Sequence, residues 1–247
     1  MNNVIITAAC DMNYFNIYFE LWAKQFNKVY PDIEKIIYIY KPTKKALRLC
    51  KNLGIKAKSA ELYNTDAPGA FYLLRWLNLP YKYKKNILST QINCIPLKRL
   101  DDSVLNTEVD HLRLGYLKPF SKTGNHDGID KVRLVQTKKG SIRRLAGITA
   151  SIFNCSIAER IVAKARELSD KPPSSDHTIS QWKEENFPCE IILAIQKANG
   201  PPYKAFTKSI KDYAFFAKAP SAAGGKITNE SKLAILNSIV ELYNRRS

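Results

Sequence analysis

Arg75 is the most unusual charged residue of this sequence, because it lies in an apolar stretch beside Leu74 and Trp76. A buried charge is costly unless it is paired. A guanidinium can hold two phosphate oxygens at once. Arg75 is therefore a candidate for phosphate binding. It could instead form an ion pair with a carboxylate, or extend its charged end to water.

Two further candidates follow the apolar run Val4 to Ala9. Asp11 can accept a hydrogen bond from a ligand, or it can cap the helix that begins near Met12. Tyr14 can stack on a base, or it can be the first core residue of that helix. The sequence does not decide between these roles.

Several common catalytic motifs are absent from the sequence. It contains no GxGxxG after the first strand and no GxxxxGK[ST], which argues against dinucleotide oxidoreductases and P-loop NTPases. The three histidines have neither HxxxH nor HExxH spacing, so a zinc hydrolase is disfavoured. A GxSxG elbow is missing as well.

These residues must be positioned by helices and strands, which the spacing of apolar residues predicts along the first hundred residues. Apolar runs typical of buried strands alternate with helical spacing, in the order β-α-β-α-β-α-β. This order predicts a right-handed, mostly parallel sheet with helices on both faces. Ligands of such sheets bind beyond the carboxyl ends of the strands. Three segments are therefore predicted to lie where a ligand would bind: the loop after Ala9, the region after Tyr40 and the segment Gln91 to Pro96.

Individual boundaries follow from local signals. Thr43 is expected to cap a helix through Leu53, and Gly54 stands where a helix end favours glycine. We also predict a third strand over 55–62, a short helix over 69–79, a helix over 190–198 and a strand over 213–217. Asn229 is expected to cap the last amphipathic helix.

Composition restricts the class of protein. The chain has 247 residues, 45% of them apolar, and a net charge of +17 from 39 Lys and Arg against 22 Asp and Glu. Such a charge favours anionic ligands. The five cysteines are an odd number without a CxxC, which indicates reduced, buried thiols. Without a signal sequence, a membrane span or disulfides, we expect a cytoplasmic protein.

Three sequence blocks carry a resemblance to a known family. They are Val4 to Phe15, Gly69 to Pro80, and Asn86 to Pro96. Over roughly residues 4 to 100 the chain resembles GT-A glycosyltransferases, including glycogenin-like and family-8-like members, which use nucleotide-sugar donors. The resemblance implies a single Rossmann-related α/β domain over 1–247, with a nucleotide-binding half, 1–100, and an acceptor-side half, 101–247.

The resemblance also implies site residues. Thr7, Ala8, Asp11 and Tyr14 would hold the nucleotide. Arg75 would approach the diphosphate. In the second half, Glu190 matches the place of an acidic residue near the acceptor, and Asp176 is a second candidate for the base that deprotonates the acceptor hydroxyl. The competing interpretation of Glu190 is a first-turn residue favoured by the helix dipole.

One departure from the family concerns the metal. Where the family has Asp-x-Asp, this chain has Gln91-Ile92-Asn93. Amide oxygens bring no charge, so a divalent site is expected to be weak. Lys98 and Arg99, together with Arg75, can neutralise the diphosphate instead. Alternatively, the fold is kept while catalysis is lost, or Gln91 and Asn93 are ordinary residues at a strand end.

The sequence thus predicts a transferase that moves a sugar from a UDP-linked donor to an acceptor, without a required cofactor. The basic segment 113–144 can contact an anionic acceptor, or it can be a solvated face. The alternative function is that of an inactive GT-A-like or other α/β protein, which binds nucleic acid or another polyanion through its basic surface.

Overall fold

The computed structural model describes residues 3–63, 65, 70–106, 111–114, 134–136, 142–144, 150–170, 216–219 and 228–246. The strands are β1 (Val4–Cys10), β2 (Glu34–Ile39), β3 (Lys56–Ser59), β4 (Asn86–Thr90), β5 (Cys94–Pro96), β6 (His111–Leu114), β7 (Leu134–Gln136), β8 (Ile142–Arg144), β9 (Ala150–Phe153) and β10 (Phe216–Lys218). The helices are α1 (Met12–Val29), α2 (Lys44–Asn52), α3 (Leu74–Leu77), α4 (Asp102–Leu105), α5 (Cys155–Asp170) and α6 (Asn229–Arg246).

Six strands form the central sheet in the order β3-β2-β1-β4-β9-β6. The first four are parallel, and β9 and β6 join them in antiparallel pairs. This confirms the predicted α/β class with a mostly parallel sheet flanked by helices. Outside the sheet, β5 pairs with β10 and β7 pairs with β8, both antiparallel.

The core has one layer on each face of the sheet, because successive side chains of a strand point to opposite faces. On one face, Ile6 and Ala8 pack with the aromatic residues of α1 and with α6. On the other face, Ile5 and Ile87 pack with α3 and α5. The chain therefore passes to one face after β1 and returns to β4 from the opposite face.

The predicted ends of helix α2 agree with the structure. The Thr43 hydroxyl accepts a hydrogen bond from the Ala46 amide at 3.1 Å and caps α2, as predicted. Gly54 has a φ of 67°, the left-handed conformation that glycine adopts without strain.

Other predicted boundaries were wrong. The third strand spans only Lys56–Ser59. The helix expected over 69–79 is a 3₁₀ turn, Ala70–Leu73, followed by the single turn of α3. At α6, the hydroxyl of Thr228, not Asn229, accepts a hydrogen bond from the Ser231 amide at 3.2 Å. Asn229 is already the first helical residue.

Two findings concern the class of protein. The four described cysteines, Cys10, Cys50, Cys94 and Cys155, are free thiols. None of the helices within the described residues has the length and apolarity that crossing a bilayer requires. The predicted helix over 190–198 and most of the basic segment 113–144 lie outside the described residues.

Candidate donor site at the ends of β1 and β4

The candidate site lies beyond the carboxyl ends of β1 and β4, which are neighbours in the sheet. Helix α1 follows β1 on one face, and α3 precedes β4 on the other. A parallel sheet whose connections diverge in this way leaves a crevice at the strand ends, where ligands bind. We call it the β1/β4 crevice. It is bounded by residues 11–14 and by the turn 91–93.

On the β1 side, the structure shows that Asp11 caps α1 and that Tyr14 is not a core residue. Asp11 is the N-cap of α1, and its Oδ1 accepts a hydrogen bond from the Tyr14 amide at 2.8 Å. Tyr14 is 42% exposed, so its interpretation as a core residue is wrong. Its ring lies in the first turn of α1, 5.7 Å from that of Tyr18 between centroids.

Thr7 and Ala8 differ from the family-based expectation. Both lie inside β1 rather than in the loop after it, and each is 1% exposed. Their side chains offer no surface to a dissolved nucleotide. The strand continues through Cys10, so the accessible loop begins only at Asp11.

On the β4 side, residues 91–93 form a closed turn. The Cys94 amide donates a hydrogen bond to the Gln91 carbonyl at 2.9 Å, and the Ala219 amide donates one to the Asn93 carbonyl at 3.0 Å. The side-chain Oδ1 of Asn93 is buried, and it accepts no hydrogen bond within the part of the chain that the structure describes. A buried acceptor of this kind is costly unless a donor reaches it.

Arg75 acts electrostatically on Cys94, the residue after this turn. It is 3% exposed, and its guanidinium carbon is 4.1 Å from the ring centroid of Trp76. Burial raises the pKa of the Cys94 thiol to about 12, and the positive charges of Lys218 and Arg75 oppose that rise. The charge of Arg75 therefore reaches Cys94, the residue that directly follows Asn93.

Lys218 is the residue that the sequence analysis missed. It lies in β10, where it pairs directly with Cys94 of β5. Directly opposed residues of an antiparallel pair have their side chains on the same face. The one available signal was a lysine beside the apolar residues Phe216 and Ala217. Nothing in the local pattern linked it to Cys94.

Arg99 is not brought to the crevice. Arg99 Nη2 donates hydrogen bonds to Asp32 Oδ2 at 3.0 Å and to Asp102 Oδ1 at 3.1 Å. The next residue, Leu100, donates its amide to the hydroxyl of Tyr30 at 3.2 Å. Since Tyr30 follows α1 and Asp32 precedes β2, these contacts lie at the amino edge of the parallel strands. The chain has turned back along α1, which carries Arg99 away from the site, and the preceding residue Lys98 is exposed.

Two further aromatic residues lie at the carboxyl edge, beside the crevice. Tyr40 directly follows β2, and its ring meets that of Phe71 edge to face, with 5.6 Å between centroids. Phe71 is 46% exposed. Lys41 adopts a φ of 48°, which is uncommon for a residue with a side chain, and its Nζ lies 5.1 Å from the Tyr40 centroid.

The residues at the turn do not fit a divalent metal. The side chains available are the amides of Gln91 and Asn93, whereas Mg²⁺ and Mn²⁺ prefer carboxylate oxygens. Two positive charges, Arg75 and Lys218, act on the neighbouring Cys94. These two charges would repel a metal cation bound near Cys94. Within the described residues, no three His, Cys, Asp or Glu side chains group so that they could hold a metal. Glu190 and Asp176, the predicted acceptor-side carboxylates, lie outside the described residues.

The fold is similar to that of a sugar-transferring enzyme. No protein-family model and no curated protein matches the chain. Among solved structures, it is similar to the galactosyltransferase LgtC in complex with donor and acceptor sugar analogues, with a TM-score of 0.50 and 12% identity over 98% of this chain and 95% of that chain. An active-site mutant of LgtC gives a TM-score of 0.47 and 12% identity over 95% of each chain. At this identity the likeness concerns the fold, and it agrees with the fold predicted from the sequence.

Proposed function

We propose that this protein is a glycosyltransferase that binds a UDP-linked sugar donor in the β1/β4 crevice. The observation that carries the proposal is a pair of cations near the turn: Lys218 of β10 is paired directly with Cys94, the residue after Asn93, and the charge of buried Arg75 reaches the same Cys94 thiol. Their charge supplies what the leaving diphosphate requires, since about two negative charges must be neutralised as the sugar departs.

The two cations contribute differently. Lys218 is only partly buried, and a lysine is a flexible point charge that can contact a phosphate oxygen. Arg75 is 3% exposed, so it acts mainly through its field. In a low-dielectric surrounding, that field is stronger than it would be in water. Asn93 directly precedes Cys94 and is only partly buried, so its side-chain amide can form a hydrogen bond with the donor.

The base of the nucleotide is proposed to lie against Tyr14. Its exposed ring stands at the first turn of α1, directly after the loop that follows β1. Asp11 already uses Oδ1 to cap the helix, which leaves its second carboxylate oxygen to accept from the ribose or the base. Glu190 and Asp176 remain the proposed acceptor-side carboxylates, one of which would deprotonate the acceptor hydroxyl.

Donor binding without a divalent ion is the first property to test. Calorimetry and thermal shift with UDP, GDP, CMP and TDP and their common sugars, each with Mn²⁺ and with EDTA, should show stabilisation by one nucleotide family in both conditions. A bound ligand raises the apparent stability by mass action. Stabilisation by no nucleotide would reject the donor site, and a strict requirement for Mn²⁺ would reject metal independence.

A matched pair of variants locates the phosphate contact. Lys218→Gln should weaken nucleotide binding about 10-fold or more, because a hydrogen bond to a charged group contributes about 1.5 to 3 kcal/mol. Lys98→Gln removes the same charge from the exposed residue before Arg99 and should leave the affinity unchanged. Equal effects of both variants would mean that only net charge matters.

A further inference from the structure

Helix α2 presents a basic face to solvent. Lys44, Lys45, Arg48 and Lys51 are all exposed, and so is Leu47. The opposite side of the helix, with Ala46 and Cys50, is buried in the core. Because residues three, four and seven apart lie on one side of a helix, the exposed side chains form a single surface. We call these five residues the α2 face.

The charge of the α2 face is not balanced locally. The segment 35–60 contains eight Lys and Arg and no Asp or Glu. On α1 and α5, by contrast, exposed lysines pair with glutamates of the same helix, in Lys24–Glu20 and Lys164–Glu167. Within the described residues, none of the four cations of the α2 face forms an ion pair. Their positive field is therefore directed to solvent.

The stability of the fold does not explain two of these cations. Lys44 and Lys45 occupy the first turn of α2, which contains no acidic residue. The amino end of a helix carries a partial positive charge, so cations there are unfavourable. Thr43 caps the helix without them, through its hydrogen bond to the Ala46 amide. Their position is unfavourable for the helix, whereas an anionic partner would attract them.

Leu47 indicates which anionic partner fits. It is 40% exposed and stands among the four cations. A surface that combines several cations with a protruding apolar side chain matches an anionic bilayer, where the cations meet the headgroups and the apolar group enters the interface.

Single-stranded nucleic acid fits this region less well. Such ligands stack their bases on free aromatic rings. Lys58 of the neighbouring edge strand β3 covers the rings of Tyr38, in β2, and Tyr83, which lies before β4. Its Nζ lies 6.0 and 5.1 Å from their centroids. Lys56 also lies over Tyr83, at 5.3 Å. These rings are occupied by the lysines of the protein itself.

We propose that the α2 face docks this protein onto an anionic phospholipid surface. The argument uses only the α2 face and does not depend on the proposed transferase activity. Helix α2 begins directly after the carboxyl end of β2, next to Tyr40 and Lys41. Docking would therefore hold the carboxyl edge of the sheet, with its β1/β4 crevice, close to the lipid headgroups.

Vesicle cosedimentation of the full chain tests the proposal. The vesicles contain phosphatidylcholine and phosphatidylserine in about a 3:1 ratio, and pure phosphatidylcholine serves for comparison. We expect binding to the anionic vesicles that weakens steeply with salt. Lys44→Gln/Lys45→Gln should lower the partition coefficient on the order of 20-fold, since each cation near such a surface contributes about 1 kcal/mol, or about five-fold.

The control variant is Lys24→Gln/Lys164→Gln, which removes the same two charges from other helices and should change binding by less than about two-fold. The α2 variant should melt at the same or a slightly higher temperature, because it removes cations from the first turn. Loss of binding then cannot result from unfolding.

Three results would overturn the proposal: no binding to anionic vesicles at low salt, equal losses in both double variants, or equal binding to neutral vesicles. A single-stranded oligonucleotide that binds through Lys44 and Lys45, without vesicle binding, would identify nucleic acid as the partner instead. Nucleotide binding by the α2 variant is measured separately, so failure of the docking proposal does not affect the donor site.

Discussion

The indole nitrogen of Trp22 donates a hydrogen bond to the hydroxyl of Thr90 at 3.0 Å. Trp22 is fully buried in the middle of α1, and Thr90 is the last residue of β4, immediately before the turn 91–93. The bond therefore connects the helix that follows β1 with the strand end that bears the second half of the crevice. It fixes the two walls of the candidate donor site against each other.

Thr90→Val should lower the free energy of unfolding by about 1 to 3 kcal/mol, because the buried indole N–H loses its acceptor. The variant keeps the shape of the side chain, so little of the loss comes from packing. Urea denaturation measures the change. Thr90→Ser retains the hydroxyl and is the control. A Thr90→Val protein as stable as the wild type would show that the hydrogen bond is dispensable.

Arg99→Gln should affect stability but not nucleotide binding. Arg99 is partly exposed and bonded to Asp32 and Asp102 at the amino edge of the sheet. An ion pair of this exposure contributes about 0.5 to 1 kcal/mol. Denaturation and calorimetry on the same sample separate the two properties. A large loss of nucleotide affinity with unchanged stability would show that Arg99 contributes to the donor site.

Asn93→Asp should make donor binding depend on metal. In EDTA, the new carboxylate repels the diphosphate, and we expect the affinity for the UDP-sugar to fall about 10-fold, or about 1.4 kcal/mol. Mn²⁺ should restore part of the loss, because a carboxylate is a good ligand for it. Asn106→Asp, on the exposed residue that ends α4, is the control and should bind as the wild type does. If Asn93→Asp binds equally with and without Mn²⁺, Asn93 does not face the diphosphate.

We expect the ionisation of Tyr30 to lower the free energy of unfolding at alkaline pH. Burial raises the pKa of Tyr30 to about 12, although the hydrogen bond from the Leu100 amide and the charge of Arg99 lower it. The folded pKa exceeds the unfolded value of about 10, so the contribution is complete below pH 10 and is lost as the pH rises through 12. Over that range the loss from this group is about 2.5 kcal/mol.

The corresponding measurement is the free energy of unfolding as a function of pH for the wild type and Tyr30→Phe. The variant should be less stable near pH 8, because the Leu100 amide loses its acceptor. Its stability should then fall less steeply than that of the wild type between pH 10 and 12. Parallel curves would show that Tyr30 does not titrate in the folded protein within this range.

Local features of the sequence were sufficient for much of the first hundred residues. The strand β1, the helix α1 and the cap at Thr43 follow from period and from short-range hydrogen bonding, which neighbouring residues determine. The segment before β4 was less predictable. Its apolar residues satisfy helical spacing, but only one turn of α-helix forms, between the 3₁₀ turn Ala70–Leu73 and Pro80.

Some features of the candidate site could likewise be predicted from the sequence, and others could not. The sequence by itself determined that Asp11 follows a strand, that Arg75 lies in an apolar segment, and that amides replace carboxylates at 91 and 93. The tertiary structure alone decided the exposure of Tyr14, the burial of Thr7 and Ala8, and the pairing of Lys218 with Cys94. It also placed Arg99 beside Asp32. The physical reason is that strand pairing and the return of the chain along α1 are long-range interactions, whose partners no local periodicity specifies.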